Sequence, residues 1–291
     1  MQTLTEKRVF GAKTGVTDVF VATDAGVAAV TVSADQIGAF GLASREPATA
    51  VAATTDRLVV GTDEGLLAAD IDAGSRAGDV ADPAFESIGN DAIGSVTAVD
   101  LTPDELVVAD ADGVVYRGEH AEPKDEPPTW ERLGATGGVR AIDAGLLAAA
   151  DGVYRVDAGG LTNTGLSDVW AVTGVGQPLA ATADGLFRLA NGWQSVADGG
   201  FRAVAADGHG HAHAVGEAGL FVRAADDGAW TTTTPPIEAP LVDLAADRGI
   251  VVGVSEAGTL CVTAGDGWRH QRLGLPGVRG VAIGGGAEGE S

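Results

Sequence analysis

One motif recurs seven times along the chain and leaves few folds open to it. An apolar run, a small or acidic turn closed by glycine, and a second apolar run appear at 19–30 (VFVATDAGVAAV), 58–70, 106–118, 146–156, 178–189 (PLAATADGLFRL), 212–223 and 251–262. Each reads as a β-hairpin. The turn glycines are Gly26, Gly65, Gly113, Gly152, Gly185, Gly219 and Gly258, spaced by 39, 48, 39, 33, 34 and 39 residues. Such periods belong to blade-type repeats.

Every unit supplies two more strands. Short runs precede the hairpins, at ATAVAA (48–53), VTAVDL (96–101), VRAIDA (139–144), VWAVTG (169–174), FRAVAA (201–206) and LVDLAA (241–246). Aromatic or leucine strands follow several of them, at FESIG (85–89), WERLG (130–134), WQSVA (193–197), WTTTT (230–234) and WRHQRL (268–273). Seven units of four strands predict an all-β, seven-bladed β-propeller. A blade with two apolar faces needs a neighbour on each, and a ring provides both. After the seventh unit the chain adds VRGVAIGG (278–285). This segment is expected to return as the inner strand of the first blade. The ring then occupies residues 1–285 as one domain, with a frayed tail at 286–291. Residues 4–12 (LTEKRVFGA) could compete for that inner position or add an outer strand. The insertions at 72–84 and 118–129 both follow third strands and so share one face.

Composition narrows the partners. The 41 acidic residues outnumber 18 basic ones, for a net charge of −23, and only Lys7, Lys13 and Lys124 are lysines. Acid-rich, lysine-poor chains resemble those of halophiles with molar salt in the cytoplasm, where a Debye length of about 3 Å lets carboxylates crowd without much repulsion. The same surface argues against nucleic acid, whose phosphates need clustered Lys and Arg. Cys261 is the single cysteine, which excludes an intramolecular disulfide or Cys-based zinc site and reads as a small core residue. No secretory leader or membrane-length apolar run appears, so a cytoplasmic monomer that does not bind membranes is expected.

DGVYR (151–155) and DGLFR (184–188), with NGW (191–193), DDGAW (226–230) and GDGWR (265–269), resemble degenerate Asp-box repeats, lacking the box's Ser or Thr. Those repeats occur in sialidase-type and in many non-enzymatic propellers. The opening EKRVFGAKTGVTDVFVATDAGVAAV, with the acidic seven-blade layout behind it, resembles a haloarchaeal β-propeller family of unassigned activity. That resemblance implies the fold and carries over no catalytic residue.

Aligning the inner strands brings Thr49, Thr97, Arg140, Trp170, Arg202, Val242 and, by closure, Arg279 to one register. The position lies at the channel mouth, on the face of the glycine turns. Arg140, Arg202 and Arg279 with Trp170 between two of them would bind a carboxylate, phosphate or sugar acid. In the competing reading each arginine pairs with a neighbouring acid and props the blades. His209, His211 and His213 alternate along one expected strand face, but alternate residues stand about 7 Å apart, too far for three to share one ion. No metal or cofactor is therefore expected. Acidic residues of the hairpin turns form a collar whose composition turn chemistry already explains.

Enzymatic motifs are absent: a sialidase-type mechanism needs a tyrosine beside a glutamate at the mouth, whereas Tyr116 and Tyr154 fall in third strands. The expectation is a non-catalytic binding or scaffolding propeller contacting a protein partner or small anionic ligand at Arg140, Trp170, Arg202 and Arg279. The rival is a hydrolase or lyase acting on an anionic sugar there. A deep mouth with a desolvated carboxylate would favour the rival.

Overall fold

A computed structural model describes residues 16–71, 83–89, 93–102, 105–118, 128–224, 228–247, 249–264 and 267–286. Seven four-stranded antiparallel sheets are arranged in chain order, and the first takes its inner strand from the other end of the chain. Gly280–Gly286 pairs with Val16–Thr23, with Val19 opposite Ile283 and Val21 opposite Val281. The expected closure is the one observed. The inner position is thus taken by the C-terminal strand. Residues 4–12, most of both insertions and residues 287–291 lie outside the described residues.

Blade contacts follow from the apolar runs. Both hairpin strands of blade 1 are buried along nearly their whole length, as strands covered on two faces must be. Seven apolar clusters form, each shared by two neighbouring blades. Val19 and Val30 of blade 1 meet Val252 and Leu260 of blade 7 in one of them. The seam joining the ends of the chain is therefore packed like the other six interfaces. Cys261 is fully buried between blades 6 and 7, and burial pushes its thiol up to about 12.

The hairpin turns need glycine for two reasons. Gly26 has φ +122°, and a Cβ there would strike the Ser44 carbonyl of the adjacent outer strand. Gly258 has φ +74° and lies as closely against the Leu275 carbonyl. Other residues rarely adopt this part of φ/ψ space.

Six inner strands, Ala50–Ala53, Val96–Leu101, Val139–Asp143, Val169–Thr173, Phe201–Ala206 and Leu241–Asp247, line the axis beside the closing strand. In five of them the register slips by one residue near the start. Val139 faces Ala149 and Ala141 faces Ala148, leaving Arg140 as the extra residue. Trp170 is extra between Val169 and Ala171, and Arg202 between Phe201 and Ala203. Thr97 and Val242 occupy the same place in blades 3 and 7. A bulge of this kind re-aims one side chain while its neighbours stay in the core. Val169 and Phe201 are buried accordingly, whereas Trp170 and Arg202 are exposed.

Candidate functional site

The axis holds a cavity of about 540 Å³ lined by the inner strands of all seven blades. Arg140 and Arg279 belong to its lining, while Trp170 and Arg202 stand outside it. All four come from the register predicted for the mouth, beside the turns that carry the glycines. The structure nevertheless gives them different roles.

Arg140 is paired. Its Nη1 donates to Asp168 Oδ1 at 2.8 Å and to the Val169 carbonyl at 3.0 Å, and its guanidinium lies 4.0 Å from the Trp170 ring centroid. Asp168 and Val169 belong to the next blade, so the arginine bridges an interface while it holds the indole. The segment that supplies them is conformationally unusual: Leu166 has φ +63° and Asp168 φ +49°. Non-glycine residues in this region are held there by their surroundings at some energetic cost. Trp170 itself remains 46% exposed, one of two large hydrophobic residues so exposed among those described; the other is Phe40 on the outer strand of blade 1.

Arg279 is also paired, with Nε and Nη2 both donating to Asp24 Oδ1. Its backbone N–H donates to the Ala22 carbonyl, which places it just ahead of the closing strand. Arg202 differs. It is exposed, and no hydrogen bond or ion pair joins it to any described residue. Two of the three arginines thus have the acid partners of the competing reading, and the third presents a guanidinium with no partner among the described residues.

The channel also contains buried carboxylates that sequence reasoning left without a role. Asp100 and Asp143 share the fifth place of their inner strands, at the end away from the bulges, and Asp243 lies next to the bulge of blade 7. Each carboxylate accepts a backbone N–H from the following blade. Asp100 takes that of Gly145 at 3.4 Å, Asp143 that of Gly174 at 2.9 Å and Asp243 that of Val281 at 2.9 Å. Asp243 also accepts the Leu244 N–H at 2.9 Å. Burial pushes Asp243 up to about 6, with the Asp143 charge adding to it. Burial followed by the same neighbour lifts Asp100 to about 6, and burial raises Asp143. These groups act as interblade struts. The signal that could have found them is the repeat of Asp at one place in VTAVDL and VRAIDA.

The histidine segment departs from its expected arrangement. The strand begins at Ala212, so His209 and His211 precede it instead of alternating along it. The reason is Asp207: its carboxylate accepts the backbone N–H groups of His209 and His211 and pairs with His211 Nδ1 at 3.0 Å, curling the segment into a turn. His213 packs edge-on against Trp268, with centroids 6.0 Å apart. Burial, then the neighbouring His211, pushes its imidazole down to about 4. Among the described residues no three His, Cys, Asp or Glu side chains gather as a metal site. Tyr154 lies in the third strand of blade 4 and donates to Asp151 Oδ2 at 2.9 Å. No helix of the described residues is long and apolar enough to cross a membrane.

Comparison with solved structures shows the architecture alone, because sequence identities are low. The WD40 β-propeller domain of Doa1 is similar at TM-score 0.58 and 16% identity, covering 74% of this chain and 78% of that one. A chain of the nidogen/laminin complex gives TM-score 0.57 at 7% identity, covering 92% of this chain and 98% of its own. AztD from Citrobacter koseri gives 0.55 at 10% identity, covering 90% and 83%. No curated protein matches the chain significantly. The family model described as "HVO_0234-like, beta propeller" matches residues 3–284, nearly the whole ring, and this chain is a member of that β-propeller family.

Proposed function

We propose that this propeller is a non-catalytic binding or scaffolding module whose contact surface is the bulge-bearing mouth around Arg140, Trp170, Arg202 and Arg279. One observation carries the reading: Trp170 is turned out of the core by a bulge and held there by a guanidinium stacked at 4.0 Å. Exposed tryptophan fixed in one orientation contributes contact area with little ordering entropy to lose, and Trp and Arg dominate interface hot spots. Arg202, with no partner among the described residues, supplies the charge for an anionic ligand or for an acidic group of a protein partner. Arg140 and Arg279 contribute by holding the rim in shape. A halophile cytoplasm is the setting that best suits a net charge of −23 with three lysines.

The rival, a hydrolase or lyase acting on an anionic sugar, draws support from Asp100 and Asp243, whose carboxyls are lifted to about 6 in the channel. Their backbone hydrogen bonds to the next blade weigh against it, because a strut is not free to take a substrate proton. Capture from the source organism's extract at molar KCl, with wild type and Trp170→Ala immobilised side by side, tests the proposal. A protein retained by wild type and lost by the variant supports it. Equal capture by both, alongside turnover of an acidic glycan, would overturn it in favour of the rival.

A further inference from the structure

The mouth has a division of labour that narrows what it can hold, and this inference rests on the binding reading above. Arg140 has its Nη1 on Asp168 and Val169 and its face on Trp170. It is a positioning residue for the indole. Arg279 is likewise engaged by Asp24. Most open to a ligand are the solvent-facing part of Trp170 and, on the corresponding bulge of the next blade, the guanidinium of Arg202, which has no partner among the described residues. The first is a flat apolar surface and the second is a planar double donor suited to a carboxylate.

We propose that Trp170 and Arg202 recognise an acidic peptide segment of a protein partner, in which a carboxylate side chain meets Arg202 and an adjoining apolar or aromatic side chain packs on Trp170. Two adjacent bulges set the two contacts on neighbouring inner strands. A peptide carries both groups on consecutive residues. An isolated phosphate would use only the arginine and leave the indole idle.

The rest of the chain imposes a condition. At −23 the protein repels an acidic segment at long range, and exposed Asp184 and Glu217 sit on the turns of the same two blades. That repulsion is removed when the Debye length falls to about 3 Å in molar salt. Contacts made at van der Waals and hydrogen-bond distance survive. Binding should therefore tighten as salt rises, the reverse of ordinary ion-pair recognition.

The test uses the full chain and four probes: the N-acetylated, C-amidated peptides Glu-Phe-Glu, Gln-Phe-Gln and Lys-Phe-Lys, and free galacturonate. Calorimetry and tryptophan fluorescence are followed in KCl from about 0.1 M to about 2 M. The expected result is preference for Glu-Phe-Glu, with affinity rising several-fold across the salt range. Arg202→Gln should erase about tenfold of that affinity and the preference over Gln-Phe-Gln, and Trp170→Ala should remove binding of every peptide with its melting temperature unchanged. Preference for Lys-Phe-Lys that still depends on Trp170 would overturn the acidic class while leaving the contact surface standing. Galacturonate binding more tightly than the peptides would assign the carboxylate to a sugar and overturn the peptide. Affinity that falls with salt, or is indifferent to Arg202→Gln, overturns the inference. Binding indifferent to both substitutions overturns the contact surface as well.

Discussion

At the glycine-turn end of the inner strands, Trp170 and Arg202 stand on bulges and face solvent. At the opposite end Asp100 and Asp143, on strands of the same ring, hold the backbone of the next blade. The charged groups at both ends lie on inner strands. The difference lies in how far each is removed from solvent. A carboxylate deep in the channel can remain only with N–H donors around it, since a buried polar group without partners is strongly destabilising. An arginine on a bulge is already half in water and can stay unpaired. Burial thus separates carboxylates that hold the ring from bulge side chains that stay open to solvent, and at the mouth itself Asp243 and Arg140 still join neighbouring blades.

The largest effects are expected at the struts. Asp243→Ala strips acceptors from Val281 and Leu244 N–H together, one of them on the strand that closes the ring. A loss of about 2–6 kcal/mol follows if each orphaned donor costs about 1–3 kcal/mol. Asp143→Ala removes the acceptor of the Gly174 and Val175 N–H groups and of the Thr173 side chain and should cost a similar amount. Denaturant unfolding at fixed KCl reads both values, and losses below those of mouth variants would break the comparison.

Next in size is the pH dependence. Asp100 and Asp243 titrate at about 6 when folded and near 4 when unfolded. Between these values the folded state keeps protons that the unfolded state releases, so stability falls as pH rises from about 4 to about 6 and then levels off. The effect amounts to about 2–3 kcal/mol per group. Unfolding free energies of wild type and of Asp100→Asn, taken from pH 7 to pH 4, should show a steeper gain on acidification for wild type. Parallel curves would show that Asp100 is not desolvated as described.

Smaller changes are expected at the mouth. Arg140→Ala removes a partly exposed pair with Asp168 and should cost about 1 kcal/mol or less. It should also free the indole, read as faster acrylamide quenching of Trp170 in a variant set. Arg279→Gln breaks an exposed pair with Asp24 and should lie within about 0.5 kcal/mol of wild type. A large loss from either substitution would mean that the mouth, too, is structural.

Much of this architecture could be read in the sequence, because hairpins of apolar strands repeat at a blade-sized period and the last apolar run matches the leading strands. The shared register of Arg140, Trp170, Arg202 and Arg279 was equally legible. That the register is a line of bulges was not, since a bulge appears only as V-R-A-I or F-R-A-V, where two core residues flank one outward side chain. The partners of Arg140 and Arg279 were hidden for another reason. Asp168 is sequence-distant by 28 residues and Asp24 by 255, and only the ring brings them close. The strut carboxylates were obscured by their number: among 41 acids, surface placement is the default for each. The turn that removes His209 and His211 from the strand depends on a local carboxylate, Asp207, capturing two backbone N–H groups.

The division between the two ends is tested most directly by one paired measurement on Trp170→Ala and Asp143→Ala, recording melting temperature and retention of the partner captured at molar KCl. The account predicts that Trp170→Ala melts with wild type and loses the partner, while Asp143→Ala melts several degrees lower and, below its transition, retains it. The reverse pattern, with the tryptophan carrying stability and the aspartate carrying binding, would contradict it.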